Sequence, residues 1–579
     1  MSTLYDQIFL RFDFQPNKEQ AVTFTKPLDI ITTWKLEHVL DCFHKAELAL
    51  QAGYYIAGYV SYEAAYGIHD ACKIDHISPS MPLLWFGVFH ESASHFDRET
   101  TNYTVQQWKL AETKENYSVT FTNIIEKMRK NDVEQINYTV PFYTQFSGDS
   151  YAYYKDLTRN QQGSYSAYLH IGNEQILSIS PELFFHLNDH TITVKPMKGT
   201  IHRGKTYEED VQLKHWLATS QKNKLENEMI TNLMKEELSS IVESASIRII
   251  DPFKIEQYPT VYQMTTTIEG TLKHELSITD IFKALFPPSS ICGVPKRKAI
   301  ELIQQFESYP RDVYCGAIGY MTPNRKALFN VPIRTVTIDR TKNIAKFGAG
   351  GAITLYSDAS EEYAEILTKA KFLQIPESFQ LLETFGLVDG EYIAFHEHIK
   401  RLKNSATYFN FQIDLPAIRK QLLYIKQNYQ KGDWRIRLVV DKTGKFSVEI
   451  NELKETKNCV VQLAKRPIDK NNIFHYHKTT NRTIYEEHLK EADKVFDVLL
   501  WNDQNEITEF TIGNAVVELE GKLYTPPVHC GLLAGTFREK LLKEGVVEER
   551  IIYVDELETC SNIYLINSVR QWIPVKLRK

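Results

Sequence analysis

The run from Ser360 to about Gln374 reads as one helix, and it ends at Ile375-Pro376-Glu377-Ser378. Proline cannot continue a helix and pushes the residue before it toward extended backbone, so a boundary belongs there. A chain of 579 residues exceeds what one hydrophobic core usually organises, and this boundary divides it into two parts that need separate readings. Before it, strands and helices alternate, with a strand expected at Gln175–Ser180 and mostly helix from Leu213 to Val242. After it, Leu381-Leu382-Glu383-Thr384-Phe385 starts a second α+β unit that includes a strand at Trp434–Val440.

Composition narrows the class. Net charge is −6, and Lys and Arg are scattered along the chain, which argues against nucleic acid or an anionic membrane as the main partner. No run of about 18 uninterrupted apolar residues occurs, so no membrane-spanning helix is expected. Met1-Ser2-Thr3-Leu4-Tyr5-Asp6 lacks the basic-then-apolar layout of a secretory signal, and a cytoplasmic protein is expected. Seven cysteines, an odd number without CxxC spacing, fit free buried thiols rather than a disulfide framework or a structural zinc site.

In the first half, Phe347-Gly348-Ala349-Gly350-Gly351-Ala352 follows an expected strand. Its backbone can turn several N–H groups toward one anion, or simply make a tight turn. Asp358 or Ser360 can cap the next helix, on which Glu362, Glu365 and Lys369 share one face. Such a stripe is either a solvated surface with internal ion pairs or, beside an anion nest, a holder for a divalent cation and a carboxylate. Glu226, on the acidic helix around Lys222–Ile230, can supply a further metal ligand; few, hard oxygen ligands suit Mg2+, which keeps several waters. Arg334 sits in the apolar stretch Val331–Thr335, read as a strand, and needs an internal acid or a substrate carboxylate as partner.

Together with Ser180-Pro181-Glu182-Leu183-Phe184, Pro196-Met197-Lys198-Gly199-Thr200, Arg203-Gly204, Gly293-Val294-Pro295-Lys296 and Gly316-Ala317-Ile318-Gly319-Tyr320, these segments resemble the chorismate-utilising enzymes. That family includes anthranilate synthase, isochorismate synthase and aminodeoxychorismate synthase component I. The resemblance implies packed β-sheets with surrounding helices. It implies that Glu226 and Glu365, assisted by Glu362, hold Mg2+ against the ring carboxylate of chorismate. Arg334, Lys369, Tyr320, Thr200 and the backbone of Gly348, Ala349, Gly350 and Gly351 would complete substrate binding, and Glu182 would protonate the departing 4-hydroxyl. Lys198 discriminates between reactions, since anthranilate-type members typically carry Ala there and aminodeoxychorismate synthases carry Lys. A lysine bonded to carbon 2 leaves carbon 4 open to ammonia; to attack, Lys198 must first lose its proton.

Three places depart from the family pattern. Gln263 stands where many relatives have His, Asn232–Glu237 replaces an Asp-Leu-x-Arg-Asn-Asp run, and Cys292 stands where Thr is common. Glutamine donates a hydrogen bond but cannot carry a proton as His does, so pyruvate elimination is not expected in this half.

In the second half, His396 and His398 are two positions apart, and a helix would point them away from each other, so zinc is not expected. Arg401 is a better phosphate contact. Lys478 follows the aromatic, strand-like run Phe474-His475-Tyr476-His477, Glu509 and Asn514 come about 30 residues later, and Gly535-Thr536-Phe537 opens a helix whose N-terminus suits a phosphate. This order resembles the fold type IV pyridoxal phosphate enzymes, which include aminodeoxychorismate lyase and the branched-chain and D-amino acid aminotransferases. It implies a two-subdomain fold with Lys478 as the lysine that carries pyridoxal 5'-phosphate and acts as base. Glu509 would be the carboxylate on the pyridine nitrogen, Asn514 a further cofactor-binding residue, and Arg401 with the N–H groups of Thr536 and Phe537 would lie on the phosphate. Many aminotransferases have a hydroxyl residue at the position of Phe537, so its presence leans toward a lyase.

The resulting expectation is a multidomain α+β and α/β chain. Residues 1–110 complete the first domain, 111–373 bind chorismate, 374–380 link, and 381–579 form the pyridoxal phosphate domain. The two halves would make 4-aminobenzoate for folate synthesis in sequence. No cysteine lies in a nucleophile elbow, so ammonia is expected from a separate glutamine amidotransferase subunit, and fold type IV relatives suggest a homodimer through the second domain. Competing readings are an anthranilate-type synthase fused to an aminotransferase, and a synthase with a non-catalytic C-terminal binding module.

Overall fold

The computed structural model of the chain describes residues 7–14, 21–69, 78–93, 98–130, 132–161, 163–273, 276–373, 378–456 and 459–578. The expectations that rest on Met1–Asp6, on Cys72 and on linker residues 374–377 lie outside these. The chain divides into two compact units, residues 1–202 with 214–376, and residues 203–213 with 377–579. The second unit thus takes in a short segment from within the span 111–373. The six described cysteines are free thiols, and no described helix is long and apolar enough to cross a membrane.

Two ten-stranded sheets build the first unit. Residues before 110 complete both: Phe9–Phe14 and Val22–Thr25 extend one, while Asp29–Thr33, Tyr55–Val60 and Leu84–Phe89 belong to the other. Leu84–Phe89, with the sequence LWFGVF, is buried throughout. On this second sheet Phe282 meets Phe43, Phe184, Phe185 and Phe329 with ring centroids 4.8–5.7 Å apart. Each such pair contributes about 0.5–1.5 kcal/mol beyond its buried area. The helix expected over 213–242 is two helices, Tyr207–Thr219 and Gln221–Ser239, the second capped by the Ser220 hydroxyl, which accepts from Asn223 N. Helix Ala359–Ala370 is capped by Asp358, whose carboxylate accepts from Ser360 N and Glu361 N, so Asp358 and not Ser360 does the capping.

Two local expectations are corrected. Gly348, Ala349, Gly350 and Gly351 lie inside the strand Ile344–Thr354, paired with Pro141, Val140, Thr139 and Tyr138, rather than in a turn after a strand. None of these glycines has a positive φ; their missing side chains serve close approach. A Cβ on Gly350 would lie 2.2 Å from the Tyr138 carbonyl oxygen, and one on Gly351 would lie 2.7 Å from Oε2 of Glu362. Pairing with the neighbouring strand Thr335–Asp339 stops at Phe347, which leaves that edge of the glycine run outside the ladder. Arg334 is not in a strand: it has φ +52° and ends the loop before Thr335–Asp339.

The second unit has the two sub-domains expected. A four-stranded sheet containing Leu381–Val388 and Asp433–Val440 packs against helices Phe395–Phe409 and Leu415–Asn428. Their shared core includes Leu381, Phe385, Leu402, Ile418, Leu422 and Ile436. An eight-stranded sheet containing Asp497–Trp501, Ile507–Phe510 and Gly513–Leu519 forms the other part. Lys478 joins the two, because its carbonyl accepts from Leu382 N over 3.0 Å.

Candidate active sites

Lys198 lies on the strand Met197–His202, directly before Gly199 at φ +98°. Its carbonyl is held by the buried Asn227, which donates Nδ2–H to it over 3.0 Å. Burial lowers the pKa of the Lys198 amine, and Lys369 acts in the same direction, against the carboxylates of Glu226, Glu365 and Glu362. Glu226 comes from helix Gln221–Ser239 and the other three from helix Ala359–Ala370, so the two acidic helices face one amine. Glu365 pairs with Lys369 over 2.7 Å, and Lys369 also donates to the Gly350 carbonyl over 2.7 Å. Glu362 accepts from the Ser357 hydroxyl at 2.8 Å and lies over Gly351.

No three potential ligands cluster around one point among the described residues. The chemistry of the donors still fits Mg2+, which takes one or two carboxylates and fills its other positions with water and substrate oxygens. The bare Gly351 lets the Glu362 carboxylate approach its backbone, and Oε1 of Glu365 lies 3.9 Å from the point a Cβ there would occupy, which sets these two carboxylates side by side.

Gln135, Asn137 and Ser290 link Lys198 to Glu182 by hydrogen bonds, with Ser290 accepting through its main-chain carbonyl and donating through its hydroxyl. The Lys198 amine donates to Gln135 Oε1 (3.4 Å), Gln135 Nε2 to Asn137 Oδ1 (3.5 Å), Asn137 Nδ2 to the Ser290 carbonyl (3.0 Å), and Ser290 Oγ to Glu182 Oε1 (2.6 Å). Gln135 and Asn137 are two apart on the strand Gln135–Gly148 and so share a face. Burial pushes Glu182 up to about 7, and the Ser290 hydroxyl works against that rise.

The remaining substrate residues separate. Arg334 lies over the Tyr258 ring, 5.8 Å from its centroid. Thr200 is exposed, past a register shift in its strand. Tyr320 stacks on Phe14 and packs against Phe12 and Phe24, in an aromatic cluster of its own. It is Tyr314 whose ring lies on Gly348, where an added Cβ would meet its Cδ1 at 2.4 Å. Of the departures, Gln263 pairs with Thr200 across the sheet, Glu237 binds Lys296 at 3.1 Å, and the buried Cys292 lies near the Tyr62 hydroxyl.

In the second unit a cavity of about 430 Å³ is lined by Lys478, Arg401, Glu509, Asn514, Thr536 and Phe537 among others. The run before Lys478 is a 3-10 turn, Ile473–His475, and not a strand. Burial, then Arg401 and Arg482, lower the Lys478 amine to about 8, and its nitrogen has no hydrogen-bond partner among the described residues. Burial raises Glu509 to about 8; it accepts from the Tyr485 hydroxyl at 2.8 Å and from Asn514 Nδ2 at 3.4 Å. Asn514 also donates to the Leu533 carbonyl at 2.8 Å, and its Oδ1 would lie 1.8 Å from a Cβ on Gly535, so glycine is required at the cap of helix Thr536–Lys543.

At the other end, Arg401 forks onto Glu383 with Nε and Nη2 at 2.9 and 2.7 Å. His398 stands buried between Glu383 (2.6 Å) and Ser568 (2.8 Å), 3.1 Å from the Thr536 hydroxyl, while His396 is exposed, so the pair does not bind one metal. Phe537 packs its ring on Trp572. An unpartnered buried amine at the centre, a carboxyl at one end, and a guanidinium beside a helix N-terminus at the other fit pyridoxal phosphate. Gln135, Ser290, Tyr314, Arg482, Tyr485 and Glu383 are site residues the sequence reading missed. Only pairing register and the turn geometry bring them in.

The sequence profile of the chorismate binding enzymes matches residues 10–374, and that of the class IV amino-transferases matches residues 380–577. The chain is 30% identical to aminodeoxychorismate synthase component 1 of Salmonella typhimurium over 323 residues, covering 54% of this chain and 70% of that one. It is 31% identical to the Escherichia coli protein of the same name over 314 residues, covering 53% and 69%. Against the chloroplastic aminodeoxychorismate synthase of Arabidopsis thaliana it is 36% identical over 228 residues, 39% of this chain and 25% of the relative. In fold it is similar to anthranilate synthase component I from Streptococcus pneumoniae, with a TM-score of 0.54 and 20% identity, covering 63% of this chain and 92% of that one.

Proposed function

Since the chain belongs to the chorismate binding enzyme family, we propose that it makes 4-aminobenzoate in two steps, aminating chorismate in the first unit and expelling pyruvate in the second. In the first step the neutral Lys198 amine bonds to carbon 2, the ring double bonds shift, and the 4-hydroxyl leaves as water with the proton of Glu182. Ammonia then bonds to carbon 4, the double bonds shift back, and Lys198 leaves. The net change is chorismate plus ammonia to 4-amino-4-deoxychorismate plus water.

Glu226 and Glu365, with Glu362 beside them, would hold Mg2+, which supplies positive charge to the ring carboxylate. Arg334, Lys369, Tyr314 and the open edge of Gly348–Gly351 would orient the ring. Tyr320 and Thr200 remain assigned to substrate only by family resemblance.

In the second step Nζ of Lys478 removes the hydrogen at carbon 4, the enolpyruvyl oxygen departs from the ring, and that proton ends on the released pyruvate. Pyridoxal phosphate, held in this cavity, would supply the electron sink that acidifies this hydrogen. Glu509, steadied by Tyr485 and Asn514, would hold a proton at the pyridine nitrogen, and Arg401 with Thr536 and Phe537 N–H would hold the phosphate.

The observation that carries the reading is Lys198, an amine with its pKa lowered by burial, bonded to Gln135 and facing three carboxylates. Ammonia would come from a separate glutamine amidotransferase subunit, in the cytoplasm, and a homodimer through the second unit would be the assembled form. The test is mass spectrometry of the chain held with chorismate and Mg2+ but no ammonia: a chorismate-minus-water adduct on the Lys198 peptide is expected, and its absence under turnover-competent conditions contradicts the first step.

A further inference from the structure

Five arginines and one carboxylic acid, Glu509, line the cavity of the second unit. The four-stranded sheet accounts for two of the arginines. Side chains alternate along its strands, and Phe385, Leu387, Ile436 and Leu438 turn into the core under the helices. Thr384, Arg435 and Arg437 therefore stand on the opposite face, and all three line the cavity. Three of the five arginines are engaged: Arg401 forks onto Glu383, Arg437 pairs with Glu449 at 3.2 Å, and Arg482 donates to the Thr511 carbonyl and lies over the Tyr485 ring. Arg435 and Arg570 remain. The Arg570 guanidinium donates to the Lys454 carbonyl over 2.7 Å, and neither arginine meets a carboxylate at ion-pair distance among the described residues.

These two belong to one wall. Arg435 pairs with Gly386 across the sheet, and a Cβ on Gly386 would lie 2.4 Å from the Ser568 carbonyl oxygen, so the turn that leads to Arg570 rests on the strand beside Arg435. Arg435 is exposed and Arg570 half-buried, which sets both toward solvent. We propose that Arg435 and Arg570 form an anion subsite that takes the two carboxylates of a small dicarboxylate, and so select 4-amino-4-deoxychorismate over amines that carry one carboxylate. The proposal rests on reading the cavity as a pyridoxal phosphate lyase site. In that reading Arg401 and the helix N-terminus answer the phosphate, which leaves the two open guanidiniums to the substrate. Each presents parallel N–H donors that match a carboxylate. 4-Amino-4-deoxychorismate keeps both carboxylates of chorismate, one on the ring and one on the enolpyruvyl group. Elimination parts them: 4-aminobenzoate carries one and pyruvate the other, so each product keeps one contact and leaves more readily than the substrate.

The experiment uses the full chain loaded with pyridoxal 5'-phosphate and supplied with 4-amino-4-deoxychorismate, without ammonium or Mg2+, so that pyruvate release reads the second unit. Arg435→Gln and Arg570→Gln should each raise KM about tenfold and leave kcat within about twofold, because a charge-assisted contact made equally before and during the reaction is lost. The absorbance band of the bound cofactor should match the parent's in both, which a collapsed cavity would not give. Arg435→Lys and Arg570→Lys keep the charge and lose the fork; they should give intermediate KM values, and they replace any Gln variant that loses the band. Chorismate, which carries both carboxylates and no amine, should inhibit the parent competitively and each Gln variant about tenfold less. A parental KM, or unchanged inhibition by chorismate, in variants that keep the band overturns the proposal alone; a parent that shows no cofactor band or releases no pyruvate overturns the lyase reading and the proposal with it.

Discussion

Ser290 donates its hydroxyl proton to Oε1 of Glu182 across 2.6 Å, and this places the acid at the end of a hydrogen-bonded path that begins at Lys198. The same contact orients the group that would protonate the departing hydroxyl and opposes the rise in its pKa that burial causes.

A pH effect follows. Glu182 titrates at about 7, and its protonated form is the one that acts as acid, so the first step should weaken as pH rises through that value. The Ser290 hydroxyl favours the ionised form. Ser290→Ala should raise the Glu182 pKa and carry the falling limb of the profile to higher pH, while kcat drops about tenfold as the carboxyl loses its orientation. Steady-state rates of 4-amino-4-deoxychorismate formation between about pH 6 and about pH 9 test it. A limb that stays in place would remove Glu182 from the role.

Gln135 tests the other end of the path. It accepts from the Lys198 amine at 3.4 Å. Gln135→Leu leaves that neutral amine without its partner, and a hydrogen bond between uncharged groups is worth about 0.5–1.5 kcal/mol, so kcat/KM for chorismate should fall about two- to tenfold. Chromatography of products measures it. Full activity in Gln135→Leu would mean that the amine is positioned by other groups.

Two adjacent glycines should fail differently. Gly350→Ala drives a Cβ into the Tyr138 carbonyl at 2.2 Å, a backbone clash inside the sheet, and should destabilise the fold by about 1–3 kcal/mol. Gly351→Ala meets only the far end of Glu362, at 2.7 Å, and should leave the melting temperature nearly unchanged while raising the Mg2+ concentration needed for half activity. Calorimetry and a Mg2+ titration separate the two. Equal loss of stability in both would contradict the assignment of Glu362 to the metal.

Glu383 makes a stability prediction. Burial would raise its pKa, but Arg401 and His398 outweigh burial and hold it at about 2. A depressed carboxylate contributes stability that is present in full above its unfolded value of about 4.3. That contribution is lost as pH falls through about 2. Breaking one partner of a buried ion pair costs about 3–5 kcal/mol, so Glu383→Gln should be less stable than the parent by that much at neutral pH. The gap should shrink below about pH 4.3. Urea unfolding at several pH values measures it; a gap independent of pH would show that the carboxylate's charge contributes nothing.

Much of this was legible in the residues. Lys198, Glu182, Glu226 and Lys478 stand in ordered motifs, and the structure gives each a buried or half-buried setting. What could not be read is what register decides. Gln135 reaches Lys198 only through sheet pairing, and Tyr314 rather than Tyr320 meets Gly348 because the turn at Cys315, φ +65°, directs the chain between them. Glycines 348 to 351 looked like a turn because their composition is the same whether the need is a left-handed φ or a close neighbour. Arg334 looked like a strand residue because its neighbours are apolar, yet its backbone is left-handed. The segment 203–213 joins the second unit although its sequence sits within the first.

The most direct test of the account is product analysis by mass spectrometry of the pure chain with chorismate, Mg2+, pyridoxal phosphate and ammonium, run beside Lys198→Ala and Lys478→Ala. The parent should release 4-aminobenzoate and pyruvate, Lys478→Ala should accumulate 4-amino-4-deoxychorismate, and Lys198→Ala should form neither; an ortho-substituted product from the parent, or 4-aminobenzoate from Lys198→Ala, would contradict it.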